Sequence, residues 1–485
     1  MAEEAIEKAS GDTVSIAKSD VVPEPEPPKI PDVELIVDGF GFMPKENTSS
    51  SKMKVSSRRL SKNVKDVKSP ESEHSPCASS TNIDIVRRYT WKTKNRMTVQ
   101  VITYGATITS IQVPDKKGVP DEVIAGFDSL EEYFQPRNPY FGATIGRYAN
   151  FIRDGSMVVR PSGRMYMLST NKGHHHYNGG HVGFDKVNWR SYVTGNKVIM
   201  SHVSERFHEG YPGTVMAQVS FEVTCDNTLK IEMKCSTTEP TIVNLSNAPY
   251  FNLAGHHCGP ELMYDHIITI NADKYTAVDD DGLVTGEKNI VGGTAYDFRV
   301  PRVIRSMLPK IPMGGYDINY CVTQGTEQDL TFHARALHPM TGRVLEVYSN
   351  QPGMQFYTGN LLPDPDKIVE ESFGEEEETK AREESESGSD SDTSSVSSVR
   401  EERAGEEMFE EANGEESKGK KSYGYVPLMG KNGACYRKHG LFCLMPQNYP
   451  DAVNNKNFPN SVLNPGEVYI HKIQYKFGIL LGKYV

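Results

Sequence analysis

QVSFEVTCDNTLKIEMKC (residues 218–235) alternates apolar and polar side chains on both sides of a polar turn. Val219, Phe221, Val223 and Cys225 alternate with Gln218, Ser220, Glu222 and Thr224. After Asp226 and Asn227, the residues Leu229, Ile231, Met233 and Cys235 alternate again. Successive side chains of a strand point to opposite faces, so two such runs about a short turn predict an antiparallel hairpin with one buried face. Residues 190–193 and 197–202 flank Gly195-Asn196 in the same manner, and TVQVIT (98–103) alternates before Gly105. Long helical periodicity is hard to find. Many short strands with frequent turns predict an all-β fold, a large antiparallel sandwich.

Outward from this core the texture changes twice. Residues 1–83 contain PEPEPPKIP, SSSKMKVSSRRLSK and SPESEHSPCASS and almost no aromatics. Such composition buries too little apolar surface to offset its ordering entropy, and it predicts a disordered tail. Its basic run near Lys52–Lys68 reads as a solvated tail or as a docking or nuclear-localisation patch. The segment 364–424 holds 21 Asp and Glu against 8 Lys and Arg, whereas the whole 485-residue chain has a net charge of −11. It predicts a disordered acidic insertion, with serines set among acids as acidophilic kinases prefer, and an unknown protein partner or none. The folded body, 84–485 less this insertion, is then roughly 340 residues, within the span of one large sandwich. Because the acidity is confined to the insertion, the body is near neutral. That gives no electrostatic case for binding nucleic acid or an anionic membrane.

The seven cysteines are widely spaced and odd in number, which predicts free thiols in a reducing compartment. The N-terminal residues lack a basic start followed by an apolar run, and no stretch of about 18 apolar residues occurs. The expected location is the cytosol.

Five segments combine Gly, Asn or Gln with aromatics: GATIGRYANFI (142–152), GHHHYNGGHVGFDKVNW (173–189), NLSNAPYFNLAG (244–255), QPGMQFYTGN (351–360) and GLFCLMPQNYPDAVN (440–454). Planar amides and aromatic faces suit the hydroxyls and C–H faces of a pyranose in a concave site. Each segment alone is equally compatible with turn chemistry. Together, in this order and spacing, they resemble the aldose 1-epimerase (galactose mutarotase) family. YGATITSIQVPD (104–115), EGYPG (209–213), GTAYDFR (293–299), GGYDIN (314–319) and NFPNSVLNPGEVY (457–469) agree with that resemblance.

The resemblance implies a galactose mutarotase-like β-supersandwich and a cofactor-free interconversion of α and β anomers of aldoses such as galactose and glucose. In that reaction a carboxylate takes the proton of the anomeric hydroxyl and an imidazolium protonates the ring oxygen. This chain departs from the family pattern at both groups. Ala248 stands at the catalytic His position and Met445 at the catalytic Glu position. Asn178 replaces a second pocket His and Phe151 an Arg, while Asn150, Asp317 and Gln355 are retained. The expected substrate-binding set is Asn150, Phe151, Asn178, Asp317 and Gln355, with no catalytic residue retained.

Three functions therefore stay open: a catalytically impaired, carbohydrate-binding pseudoenzyme of hexose metabolism, an active epimerase with displaced acid and base, or a scaffold acting through the acidic insertion. No metal site is expected. His174, His175 and His176 are adjacent residues, which rarely converge on one ion, and no carboxylate partner is evident in the sequence. Asp279, Asp280 and Asp281 lack calcium-loop spacing, because Ala277 holds the first ligand position. His256, His257 and Cys258 are expected at the rim of the pocket, and His439 in a structural role.

Overall fold

The computed structural model describes residues 32–44, 84–159, 162–312, 314–324, 329–366 and 426–482. Nearly all of the acidic segment, the basic run and most of the N-terminal tail lie outside the described residues.

The hairpin that opened the sequence reading is the centre of a nine-stranded antiparallel sheet. Its strands are Val215–Thr224 and Thr228–Thr237, with Val219 opposite Met233, Phe221 opposite Ile231 and Val223 opposite Leu229. All six side chains are buried. A one-residue slip would carry them to the solvent face, so this alternation fixes the register. The first strand stops at Thr224, and Cys225 is an exposed turn residue instead of the last member of the alternation. The sheet continues outward through Lys197–Ser204 and Arg190–Thr194 on one side. On the other it runs through Tyr469–Ile479, Arg343–Ser349, Thr331–Leu337, Ile267–Ile270 and Arg302–Val303.

A five-stranded sheet faces it, in the order Val284–Ile290, Ala272–Val278, Asp317–Val322, Gly353–Tyr357 and Cys443–Gln447. Its inward residues Ile318, Tyr320, Met354, Phe356 and Leu444 share one apolar cluster with Val219, Phe221, Ile231, Met233, Val347 and Tyr475. Fully burying each large apolar side chain contributes roughly 1.5–3 kcal/mol, so this interlayer is the main source of stability.

A second five-stranded sheet corrects the reading of the tail. Val33–Phe42 is its edge strand, pairing antiparallel with Ile85–Thr93 from Val33 opposite Thr93 to Phe42 opposite Ile85. Val33 and Leu35 pack on the main core, and Phe40 and Met43 on a second apolar cluster. The stretch gains order from this ladder, which its own composition cannot supply. No helix among the described residues is long and apolar enough to cross a membrane.

Candidate functional site

The outer face of the sheet that carries Asp317, Gln355 and Met445 forms the floor of a cleft of about 330 Å³. Register explains which side chains reach it. Asn319, Gln355 and Met445 stand opposite one another across three strands, and so do Asp317, Tyr357 and Cys443. Because alternate residues share a face, Asp317, Gln355, Tyr357, Met445 and Gln447 turn toward the cleft while Ile318, Phe356 and Leu444 turn into the core. Loops supply the walls. Asn150 and Phe151 come from GRYANFI, Tyr177 and Asn178 from HHHYNGG, and Ala248 and Tyr250 from SNAPYF. All seven site positions expected from the sequence line this one cleft.

Much of the Asn content of these loops holds backbone in place. Asn244 donates to the carbonyls of Ala149 and Asn448 and accepts from Asn448 N–H. Asn247 donates to the carbonyls of Gly142 and Ala143, and Asn252 to those of Gly259 and Gly440. Arg147 is buried, donating to the carbonyls of Pro212, Gly213, Ser204 and Glu205, with its guanidinium over the Tyr211 ring. Burial depresses its pKa to about 10, so it stays charged at neutral pH. These bonds anchor the loop that presents Asn150 and Phe151. Asn150 and Asn178 both adopt positive φ (71° and 47°), which Asn tolerates better than most residues. Asn178 accepts from Asn150 N–H at 2.8 Å, and its amide lies close enough to the Tyr140 and Tyr177 hydroxyls to oppose the burial that raises their pKa. It is a strut of the wall as much as a lining group.

The polar centre of the cleft is a pair. Gln355 donates from Nε2 to Asp317 Oδ1 at 2.6 Å. The Asp317 side chain opens onto the cleft, yet protein crowds it at depth. That desolvation raises its pKa to about 6, against the lowering effects of the Gln355 amide and the Lys172 charge. Gln355 Oε1 is buried and has no hydrogen-bond partner among the described residues. A buried acceptor left unpaired is costly, and protein atoms cover this one, so the acceptor of the pair that is open to the cleft is the Asp317 carboxylate. Facing the pair are aromatic surfaces, with the Phe151 and Tyr177 rings 4.5 Å apart and tilted by 39°. Burial pushes the Tyr140, Tyr177 and Tyr357 hydroxyls above their usual pKa.

Tyr140, Tyr177, Tyr250, Tyr357, Lys172, Ser246 and Gln447 also line the cleft, and the sequence reading did not single them out. Tyr357 and Gln447 were accessible by the i, i+2 rule from Gln355 and Met445. The expectation for His256 changes, while the burial and bonding of His439 fit the structural role expected of it. His256 is buried and bonded through Nδ1 to the Tyr436 hydroxyl at 2.8 Å, away from the cleft lining. His439 is buried with its Nδ1 at 3.1 Å from the Tyr264 hydroxyl. A larger groove of about 570 Å³ lies between residues 459–470 and Gln351-Pro352 and contains none of the site positions. Its Glu467 carboxylate already accepts from Asn464.

The last described residues before and after the acidic segment meet the cleft mouth. Leu361 lines it, and Arg137, which also lines it, donates to Val426 O at 2.6 Å and Pro427 O at 3.4 Å.

Fold and cleft together define an antiparallel β-sandwich protein whose cleft is polar on one side and apolar on the other. Residues 87–395 match the family model described as aldose 1-epimerase. The galactose mutarotase of Bos taurus is 36% identical over 385 residues, covering 79% of this chain and 92% of that protein. The Homo sapiens galactose mutarotase is 37% identical over 381 residues, covering 79% and 91%. Among solved structures, the GalM/aldose epimerase homologue of C. elegans superimposes with a TM-score of 0.62 at 23% identity, covering 80% of this chain and 97% of that one. The chain belongs to the aldose 1-epimerase family.

Proposed function

We propose that this protein binds an aldose of galactose or glucose type in the cleft but interconverts its anomers poorly or not at all. The observation that carries the reading is the company kept by Ala248 and Met445. Both line the same cleft as the Asp317–Gln355 pair, and neither side chain has a proton to exchange. Opening a pyranose requires a base at the anomeric hydroxyl and an acid at the ring oxygen, on opposite sides of the ring. Among the described lining residues Asp317 is the one carboxylate, and there is no histidine. Tyrosines whose pKa is raised by burial are weak acids for the ring oxygen. A displaced base is therefore available in Asp317, whereas the displaced acids on offer, the tyrosines and the Lys172 ammonium, belong to side-chain types ordinarily weaker as acids than an imidazolium. Binding needs less. The Asp317 carboxylate accepts hydroxyl donors, and the Phe151 and Tyr177 rings offer a face for C–H groups.

Isothermal titration of the protein with galactose and with glucose tests this. One of them should bind, and Asp317→Asn should weaken it about 10- to 100-fold, the usual cost of losing a charged hydrogen bond. Absence of saturable binding by either sugar would sink the proposal.

Affinity should also depend on pH. The raised pKa of about 6 means that Asp317 is protonated in the free protein below that value. A ligand hydroxyl that donates to the carboxylate must then displace the proton. Affinity should be level above about pH 7 and decline toward tenfold per unit below the pKa, with the decline lost in Asp317→Asn. A flat profile from pH 5 to 8 would show that the ligand does not engage this carboxylate.

A further inference from the structure

We infer that Asp154, His174 and His175 form a binding site for a divalent transition-metal ion of the zinc class at the edge of the cleft wall. The sequence offered three adjacent histidines and no carboxylate. The fold separates the three and supplies the missing group. His176 turns inward and is fully buried, with Nε2 at 2.6 Å from the Tyr211 hydroxyl and Nδ1 at 2.6 Å from Ser169 O. His174 and His175 stay outside, with ring centroids 4.5 Å apart. Asp154 is brought to them by pairing. Phe151–Ile152 runs antiparallel to His176–Tyr177, with Ile152 opposite His176, so the residues just beyond that pair emerge at the same end. One donor atom from each of Asp154, His174 and His175 lies within 4.8 Å of the others.

Local structure holds these donors in place. Lys172 and His175 close a tight turn through reciprocal backbone hydrogen bonds, with Gly173 at φ +59° inside it. His175 Nδ1 accepts from Asp154 N–H at 3.0 Å and lies 3.6 Å from Asp154 Oδ1. The His175 ring stands edge-on to Phe151 at 6.3 Å. Two imidazoles and one carboxylate are a donor set that zinc-class ions take, with solvent completing the tetrahedron. Zinc–ligand bonds near 2.0–2.1 Å require the three donors to close up by about an ångström or more, which rotation of side chains at an open surface can supply. Metal binding replaces the hydrogen bond from Asp154 N–H in either tautomer: the ion takes the Nδ1 lone pair, or, with the ion on Nε2, Nδ1 carries the proton and donates toward the Asp154 carboxylate. An ion here ties the turn 172–175, whose Lys172 lines the cleft, to residues 152–154, which follow the cleft-lining Phe151.

The test is a zinc chloride titration of full-length protein, stripped with EDTA and desalted, in competition with a chromogenic chelator, alongside a thermal melt. Wild type should bind one more equivalent of zinc than His174→Ala, and zinc should raise its Tm. Asp154→Asn, which tolerates the positive φ of this residue (54°), should weaken that equivalent at least about tenfold. His181→Ala, a control for surface histidines, should bind as wild type does. All three substitutions are at exposed side chains, and each variant should match wild type in Tm without zinc. Equal stoichiometry and affinity in wild type and in the His174→Ala/Asp154→Asn double variant would overturn the site, because the zinc would then be bound elsewhere.

Discussion

Freshly dissolved α-galactose should relax to its anomeric equilibrium at close to the buffer rate in the presence of the wild-type protein, and much faster once two residues are changed. The changes are Ala248→His and Met445→Glu, made together. Each proton-transfer group typically contributes about 10²–10⁴ in rate. Such contributions need not multiply, because an acid without its base achieves little. The double variant should therefore exceed wild type by about 10² or more in polarimetry, Met445→Glu alone should gain little, and Ala248→His alone should gain less than the double variant because Asp317 is then its only base. The structure is suited to both changes. Ala248 uses its backbone in the fold, accepting from Gly142 N–H at 2.7 Å and donating to Ala143 O at 3.0 Å, while its side chain faces the cleft. Met445 is half-buried, with Gln355 opposite it on the neighbouring strand, and Glu is a close match to its unbranched length. The new carboxylate would share a sheet face with Asp317, and two like charges there would resist full ionisation. Some loss against the full gain follows from that repulsion. A wild-type rate well above buffer, proportional to protein and abolished by unfolding, would refute catalytic impairment. The displaced acid would then be sought first at the Lys172 ammonium, by testing Lys172→Met for loss of that rate.

The parts of this molecule that were legible in the sequence are those whose period matches their geometry. Apart from Cys225 at the turn, the alternation over 219–235 names the inward face of the central hairpin residue by residue, because a strand buried on one face has only two ways to point its side chains. The edge strand Val33–Phe42 was missed for a physical reason. Its flanks are proline- and charge-rich, and its partner Ile85–Thr93 lies some fifty residues away, so its order comes from a long-range ladder. The site was legible through motifs, but roles within the motifs were not. Asn244, Asn247 and Asn252 look as polar in the sequence as Gln355, yet each closes backbone hydrogen bonds, and only the fold separates strut from lining. Asp154 illustrates the converse. Nothing about a carboxylate twenty residues before a histidine pair points to that pair until the short strands that flank them, Phe151–Ile152 and His176–Tyr177, are known to pair.

The largest effect expected on stability lies outside the cleft, at the ion pair between Lys431 and Glu122. Lys431 Nζ is 3.0 Å from Glu122 Oε2 and donates to Thr109 O at 2.5 Å, and both side chains are buried. Glu122 in turn accepts from Ile111 N–H at 2.8 Å and from the Ser110 hydroxyl at 2.5 Å. Burial pushes the Lys431 pKa down, and the Glu122 charge opposes that fall. Such a pair adds little net stability over an apolar replacement of the same shape, but removing one partner leaves a buried charge uncompensated. Lys431→Met should therefore cost about 3–5 kcal/mol, read as a lower urea midpoint with an unchanged slope. Lys431→Met with Glu122→Gln should recover much of that loss, because the orphaned charge is gone and Ile111 N–H keeps an acceptor. The consequence reaches the cleft through the chain. Lys431 lies five residues after Val426, where the described chain resumes, and its backbone N–H donates to Gly126 O. The same run leads on to the strand Cys443–Gln447 that carries Met445. Loss of the pair loosens the anchor of that strand, so ligand affinity should fall in the single variant and return in the double. A Lys431→Met protein within about 0.5 kcal/mol of wild type, the range of an ordinary surface change, would show that water or a neighbour compensates Glu122 and that the pair does not anchor this segment.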